Sequence, residues 1–209
     1  MARYKNKLFD SINGSLGPAV VYQMYGKTYV RTKPEGYKDR KSPGQLAQRQ
    51  KFYLVMNFLQ PFKDLLRISF ASQANGRSAY HAAQSYNLKL GLHGEYPGYR
   101  IDRNQALLSY GPLPLPDSVT VMRQPEGFDI KWKTDYAIQS TRGKDMLVVI
   151  GQPVFGQQEI EFRFTGIGRS DQMYRWSTAL LQYPKVHLWI AFQNQAQTEM
   201  SHSLYLGEF

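Results

Sequence analysis

The chain has 209 residues, 42% hydrophobic and 14% aromatic, enough for one large domain or two modest ones with a real core. It contains no cysteine, which excludes disulfides and thiolate metal sites without fixing a redox compartment. The net charge of +10 is unevenly placed: residues 1–104 carry 17 Lys and Arg against 6 Asp and Glu, whereas residues 105–209 carry 9 against 10. The basic excess lies wholly in the first half, which points to two parts with different partners.

No apolar stretch approaches the ~20 residues needed to cross a bilayer, so membrane insertion is not expected. The basic start Met1–Lys7 is followed by no apolar run, so no signal peptide is expected and a cytoplasmic location is the default.

In chain order, Asn13–Pro18 is a cluster of turn formers after a short polar start. Ala19–Met24 and Thr28–Thr32 are β-rich runs separated by Tyr25-Gly26-Lys27, which predicts a hairpin over about 19–32 with Gly26 supplying a positive φ. A polar, basic loop follows, Lys33–Lys41. Ser42-Pro43-Gly44-Gln45 then opens the clearest helix, with Ser42 and Gln45 forming a capping box and Pro43 at the first helical position. Apolar residues from Ala47 to Leu66 recur at helical spacing, predicting a helix over about 43–70 that Pro61 kinks or divides. A second helix is predicted over about 79–87, capped by Ser78.

Glycines and Pro97 dominate Asn87–Tyr99, and the domain boundary is placed shortly afterwards, giving a basic α+β part over 1–104 and a second part over 105–209. The second part reads as β-runs: Ala106–Tyr110, Val119–Arg123, Phe128–Lys133, Met146–Ile150, Ile160–Phe164, Tyr174–Leu180, Val186–Phe192 and Ser203–Leu206. Their spacing predicts an all-β sandwich. Phe128, Ile130 and Trp132 alternate with Asp129, Lys131 and Lys133, which puts one face in the core and the other in water.

Leu113-Pro114-Leu115-Pro116 leading into Val119-Thr120-Val121, then Phe128-Asp129-Ile130-Lys131-Trp132, resembles the opening of a fibronectin type III domain, with its Pro-rich lead-in and a core Trp on the second strand. The resemblance implies an immunoglobulin or fibronectin III-like sandwich. Across the whole chain, Met1–Asn6, Gln45–Phe52, Ala79–Asn87, Tyr96–Asp102, Ser109–Pro114 and Ser203–Gly207 resemble a Bacteroidetes family, domain of unknown function 6266. That resemblance names relatives and implies no activity. The hairpin ending in Val30-Arg31, followed by a Pro-containing loop and the Gln-rich helix start Gln45–Arg49, also looks like a module of some phage structural proteins.

Reactive chemistry is poorly represented. His81, His93, His187 and His202 are scattered, with no pair at i,i+4, so no metal site and no cofactor is expected. Glu159 and Glu161 alternate with Ile160 and Phe162 and read as an exposed strand face. Gly166-Ile167-Gly168-Arg169-Ser170 matches neither a phosphate loop nor a dinucleotide fingerprint, and no Gly-x-Ser-x-Gly elbow occurs. No catalytic residue is assigned, and the expectation is a protein that is not an enzyme.

The basic segment carries the candidate binding surface. Lys27, Arg31, Lys33, Lys38, Arg40, Lys41, Arg49 and Lys51 place eight cations within 25 residues, opposed by Glu35 and Asp39, with Tyr25, Tyr29, Tyr37 and Tyr53 interleaved. Hairpin alternation puts Lys27, Tyr29 and Arg31 on one face. Three readings stay open: a solvated basic surface, a contact for an acidic protein, or nucleic-acid binding through 27–53, in which cations neutralise phosphates and rings stack on bases. The leading expectation is a non-enzymatic interaction or structural protein, with a phage-like assembly or scaffold role as one version. Its partner is then an unknown protein or a second copy of itself, and nucleic-acid binding is the alternative.

Overall fold

The computed structural model describes residues 13–34, 36, 39–156 and 159–209, together with the backbone of residues 2–4. The chain forms two compact units, Met1–Gln45 and Leu46–Phe209.

The first unit is a four-stranded antiparallel sheet made of β1 (Ala2–Tyr4), β2 (Gly14–Leu16), β3 (Ala19–Met24) and β4 (Lys27–Thr32), in the order β1-β4-β3-β2. The predicted hairpin is present, but its loop is two residues long. Tyr25 (φ 50°) and Gly26 (φ 69°) both adopt positive φ, the signature of a turn whose twist matches the flanking strands. Lys27 is therefore the first residue of β4, paired with Met24, and not part of the loop. The turn-former cluster at 13–18 holds an edge strand as well as a turn at Gly17 (φ 53°). Val21 and Thr28 are buried and share a face with Val30.

The second unit begins within α1 (Pro43–Leu59). The capping box forms: the Ser42 N–H donates to Gln45 Oε1 at 3.1 Å and the Gln45 N–H to Ser42 Oγ at 3.4 Å. Pro61 divides the apolar stripe, since it cannot donate to the helical ladder, and α2 (Lys63–Ser69) starts afresh after it. Ser78 caps α3 (Ala79–Leu90) by accepting the His81 N–H at 3.2 Å. The glycine-rich stretch that follows contains the short pair β5 (Leu92–His93) and β6 (Arg100–Ile101).

Seven strands complete the unit: β7 (Ser118–Gln124), β8 (Gly127–Lys133), β9 (Met146–Pro153), β10 (Glu161–Gly168), β11 (Met173–Trp176), β12 (Val186–Gln193) and β13 (Leu204–Glu208). They form a three-stranded sheet, β11-β8-β7, and a four-stranded sheet, β10-β9-β12-β13, antiparallel throughout. The two sheets share a core of Phe128, Ile130, Trp132, Trp176, Leu188 and Phe192 among others.

The four-stranded sheet is covered on its other side too. Val148 and Ile150 of β9, and Trp189 and Ala191 of β12, join Phe58, Phe62, Leu65 and Ala83 of the helical segment in a second core. Every residue of β12 is buried, as expected of a strand covered on both faces. The compact-unit boundary falls after Gln45, and within the second unit the helices and the sheet bury their apolar faces against each other.

Two predicted β-runs differ. Ala106–Tyr110 is a buried connecting segment outside any strand. Side chains satisfy its backbone in place of a strand partner: Asn87 bonds both the N–H and the C=O of Leu107, and Ser69 Oγ donates to the Leu108 carbonyl at 2.6 Å. Tyr174–Leu180 ends as a strand at Trp176, because Thr178 Oγ1 accepts the Leu180 N–H and starts a 3-10 turn.

Candidate functional site

The alternation expected on the hairpin is realised by the register. Met24 faces Lys27, Tyr22 faces Tyr29 and Val20 faces Arg31, so all six side chains lie on one face of the first sheet. Tyr22 and Tyr29 stack, with centroids 5.5 Å apart and planes 18° from parallel. The Arg31 guanidinium lies 5.9 Å from the Tyr22 centroid, within range of a cation–π contact. Lys27 and Arg31 are exposed and both tyrosines are half-buried. The face is thus a ring pair with a cation towards each end.

Of the other candidates, Lys33 is exposed just beyond β4, its N–H donating to the Pro18 carbonyl at 2.7 Å. Arg40 and Lys41 are exposed in the segment before α1, where the Lys41 N–H donates to Asp39 Oδ1. Lys38 lies outside the described residues. Arg49 and Lys51 belong to the second unit. Lys51 sits 4.7 Å from the Tyr99 centroid, so its ammonium covers a ring of its own unit. The structure therefore brings together Lys27, Tyr29 and Arg31 from the nine candidates. It adds Tyr22, which sequence reasoning missed. The two-residue Tyr25-Gly26 turn held the signal, because it fixes residue 22 opposite residue 29.

Titratable groups elsewhere bond within the fold, some buried and some exposed. His187, 2% exposed, has Nδ1 2.8 Å from the Tyr205 hydroxyl and 3.7 Å from Glu208 Oε1. Burial first, and the charge of Arg103 second, lower its pKa to about 4 against the opposing pull of Glu208, so the ring is neutral near pH 7. His81 bonds its own helix cap, with Nδ1 3.0 Å from Ser78 Oγ, and His202 Nδ1 donates to the Gly111 carbonyl. Glu161 accepts from Thr178 Oγ1 at 2.5 Å and from the Trp176 indole at 3.3 Å, while Glu159 bonds the Tyr183 hydroxyl.

Arg169 and Asp145 form a fully buried ion pair at 3.6 Å. The guanidinium lies 3.9 Å from the Phe192 centroid and donates to the Pro114 carbonyl at 2.7 Å. Burial raises the Asp145 pKa and lowers that of Arg169, each against the pull of its partner. Among the described residues no group of three His, Cys, Asp or Glu could hold a metal ion.

Two concavities lie on the helical layer. One of about 170 Å³ is floored by Phe70 and Ala82 and edged by Tyr86, Tyr110, Arg77 and Lys89. The other, of about 440 Å³, is an open groove beside Lys63, Arg67, Tyr80 and His81, where Arg67 already pairs with Asp64 at 3.0 Å. Among the described residues no helix is long and apolar enough to cross a membrane.

Comparison with known proteins returns no matching curated protein and no matching solved structure. Residues 11–207 match the family of unknown function DUF6266, which covers both the hairpin of the first unit and nearly all of the second. The chain belongs to that family.

Proposed function

We propose that this is a non-enzymatic interaction or structural protein, in which the basic first unit makes the contact and the sandwich acts as support. The observation that carries this reading is the shared face of Lys27, Tyr29 and Arg31, completed by Tyr22. Residues 1–45 hold nine Lys and Arg against three Asp and Glu, a net of +6, so the face belongs to a strongly basic unit suited to an anionic partner.

The supporting half is of the fibronectin type III or immunoglobulin kind. Three strands packed on four, the return of β11 to pair with β8, and the core Trp132 on the second strand favour that assignment. Such sandwiches serve as spacers and assembly modules, an inference by analogy of fold, and a phage-like assembly role is one form it takes.

The test compares the full-length protein with a Lys27→Glu/Arg31→Glu/Lys33→Glu variant, both immobilised and exposed to native lysate at low salt. Retention of a defined set of macromolecules by the wild type, lost in the variant, is the expected result. Sedimentation at high concentration reports self-association. Equal retention by both proteins, with a strictly monomeric wild type, overturns the reading.

A further inference from the structure

We infer that Asn75 is a site of spontaneous covalent modification: in the folded protein it deamidates and isomerises through a succinimide, while the other Asn-Gly step, at Asn13, is held back by the first sheet. The sequence contains two such steps, Asn13-Gly14-Ser15 and Asn75-Gly76-Arg77. Glycine suits the reaction in both, since it places no side chain beside the attacking nitrogen. Local sequence therefore ranks them alike, and their surroundings do not.

The chemistry needs one free backbone N–H and an unhindered amide. The glycine nitrogen attacks the asparagine side-chain carbonyl carbon, and the new C–N bond closes a five-membered imide ring. Ammonia leaves with the former amide nitrogen and the proton given up by the glycine N–H. Water then opens the ring at either carbonyl. One opening gives aspartate, and the other gives isoaspartate, in which the main chain runs through the former side chain.

At Asn13 the attacking nitrogen is occupied. Gly14 lies on β2 opposite Val21. Leu16 and Ala19 flank the two-residue turn Gly17-Pro18, which makes them a hydrogen-bonded pair, and the alternation of an antiparallel ladder makes Gly14 and Val21 the next. The β4 side gives the same parity. The Lys33 N–H on the Pro18 carbonyl turns the backbone groups of Pro18, Val20 and Tyr22 towards β4 and leaves those of Ala19 and Val21 for β2. The Gly14 N–H therefore donates to the Val21 carbonyl, and this strand pair must open before attack.

Asn75 and Gly76 sit instead in an exposed turn between α2 and α3, with Gly76 at φ 66°. Among the described residues neither the Asn75 side chain nor the Gly76 N–H has a hydrogen-bond partner. The product fits the position as well. Its carboxylate lies just before the Ser78 cap, near the N-terminal end of α3, where negative charge is favourable. It also adjoins Arg77, on the rim of the concavity of about 170 Å³.

The two steps fall in separate tryptic peptides, Leu8–Lys27 and Ile68–Arg77, so one experiment reads both. Full-length protein is aged in mildly alkaline buffer at physiological temperature, folded or in concentrated urea, then digested. Mass spectrometry follows the amide-to-acid change, and chromatography separates isoaspartate from aspartate. In the folded protein the Asn75 peptide is expected to convert, mainly to isoaspartate, and the Asn13 peptide to lag by about 10-fold or more, because Gly14 reacts only from the opened strand pair. In urea the two rates should converge. Equal rates in the folded protein, faster conversion at Asn13, or an Asn75 that stays intact until unfolded overturns the inference. So does a difference that persists in urea, which would place its cause in the neighbouring residues and not in the fold.

Discussion

The sheet of the first unit and the four-stranded sheet of the second are both antiparallel and similar in strand number, yet they use their faces in opposite ways. In the second unit the central strand β12 is buried at every one of its eight residues, with Leu188 and Phe192 turned to one core and Trp189 and Ala191 to the other. In the first unit the described strand residues that are fully buried are Val21 and Thr28, and the opposite face carries Lys27, Tyr29 and Arg31. Stability scales with the apolar surface removed from water, so the second unit holds most of it. On that opposite face Lys27 and Arg31 are exposed, while Tyr22 and Tyr29 are half-buried and stack on each other. Exposed cations placed there do little for folding.

The largest way to sharpen this contrast is to cut into the doubly covered sheet. Trp189 is fully buried against Phe62 and Tyr205, with ring centroids 6.0 and 5.1 Å away. Trp189→Ala should destabilise the protein by about 3–5 kcal/mol in urea unfolding, from lost transfer energy and the cavity left behind. A loss below 1 kcal/mol would mean that the helical layer is not needed to cover that sheet.

The buried ion pair should behave similarly for a different reason. Asp145→Ala leaves the Arg169 charge buried without its counter-ion and should cost about 3–5 kcal/mol, whereas Asp145→Leu with Arg169→Met should recover most of that loss. Equal destabilisation by the single and double variants would show that the pair's shape matters more than its charge.

His187 predicts a pH dependence confined to the second unit. An unfolded histidine titrates near 6.5, and the folded ring near 4. Between those values the unfolded chain binds one more proton, so stability rises with pH across the window and is lost as acid is added. Chemical denaturation at pH 7 and pH 5 should show the wild type losing about 2 kcal/mol more than His187→Gln, which keeps hydrogen-bonding capacity without the charge. Parallel pH profiles would contradict the assignment.

The smallest effect is expected on the exposed face of the first sheet. Arg31→Ala should change stability by no more than about 0.5 kcal/mol, as for surface positions in general. A large loss, seen as a shift in the unfolding midpoint, would assign Arg31 to folding and weaken its assignment to binding.

Much of the local structure was legible from short stretches. Ser42 and Gln45 announce the helix start, Pro61 its division, Ser78 the next cap, and Tyr25-Gly26 the hairpin, because each acts on backbone groups within four residues of itself. The Phe128–Lys133 alternation likewise marks its core face, although Asp129 on the other face is also buried, drawn in by a bidentate pair with Arg175 at 2.6 and 2.9 Å. Even the Lys27, Tyr29 and Arg31 face follows from a period of two.

Tertiary structure alone decided what covers each surface. The runs at β9 and β12 read as strands, but nothing within them says that helices from residues 46–90 close their second face. Ala106–Tyr110 has strand composition and is not a strand, because Asn87, 20 residues away, and Ser203, 95 residues from Leu108, take its hydrogen bonds. Arg169 with Asp145, and His187 with Tyr205, are likewise joined only when strands pair. Turns, caps and alternation are fixed by interactions between near neighbours and so are written locally. The covering of a sheet face and the partner of a buried charge depend on segments distant in the chain, and only their packing selects them.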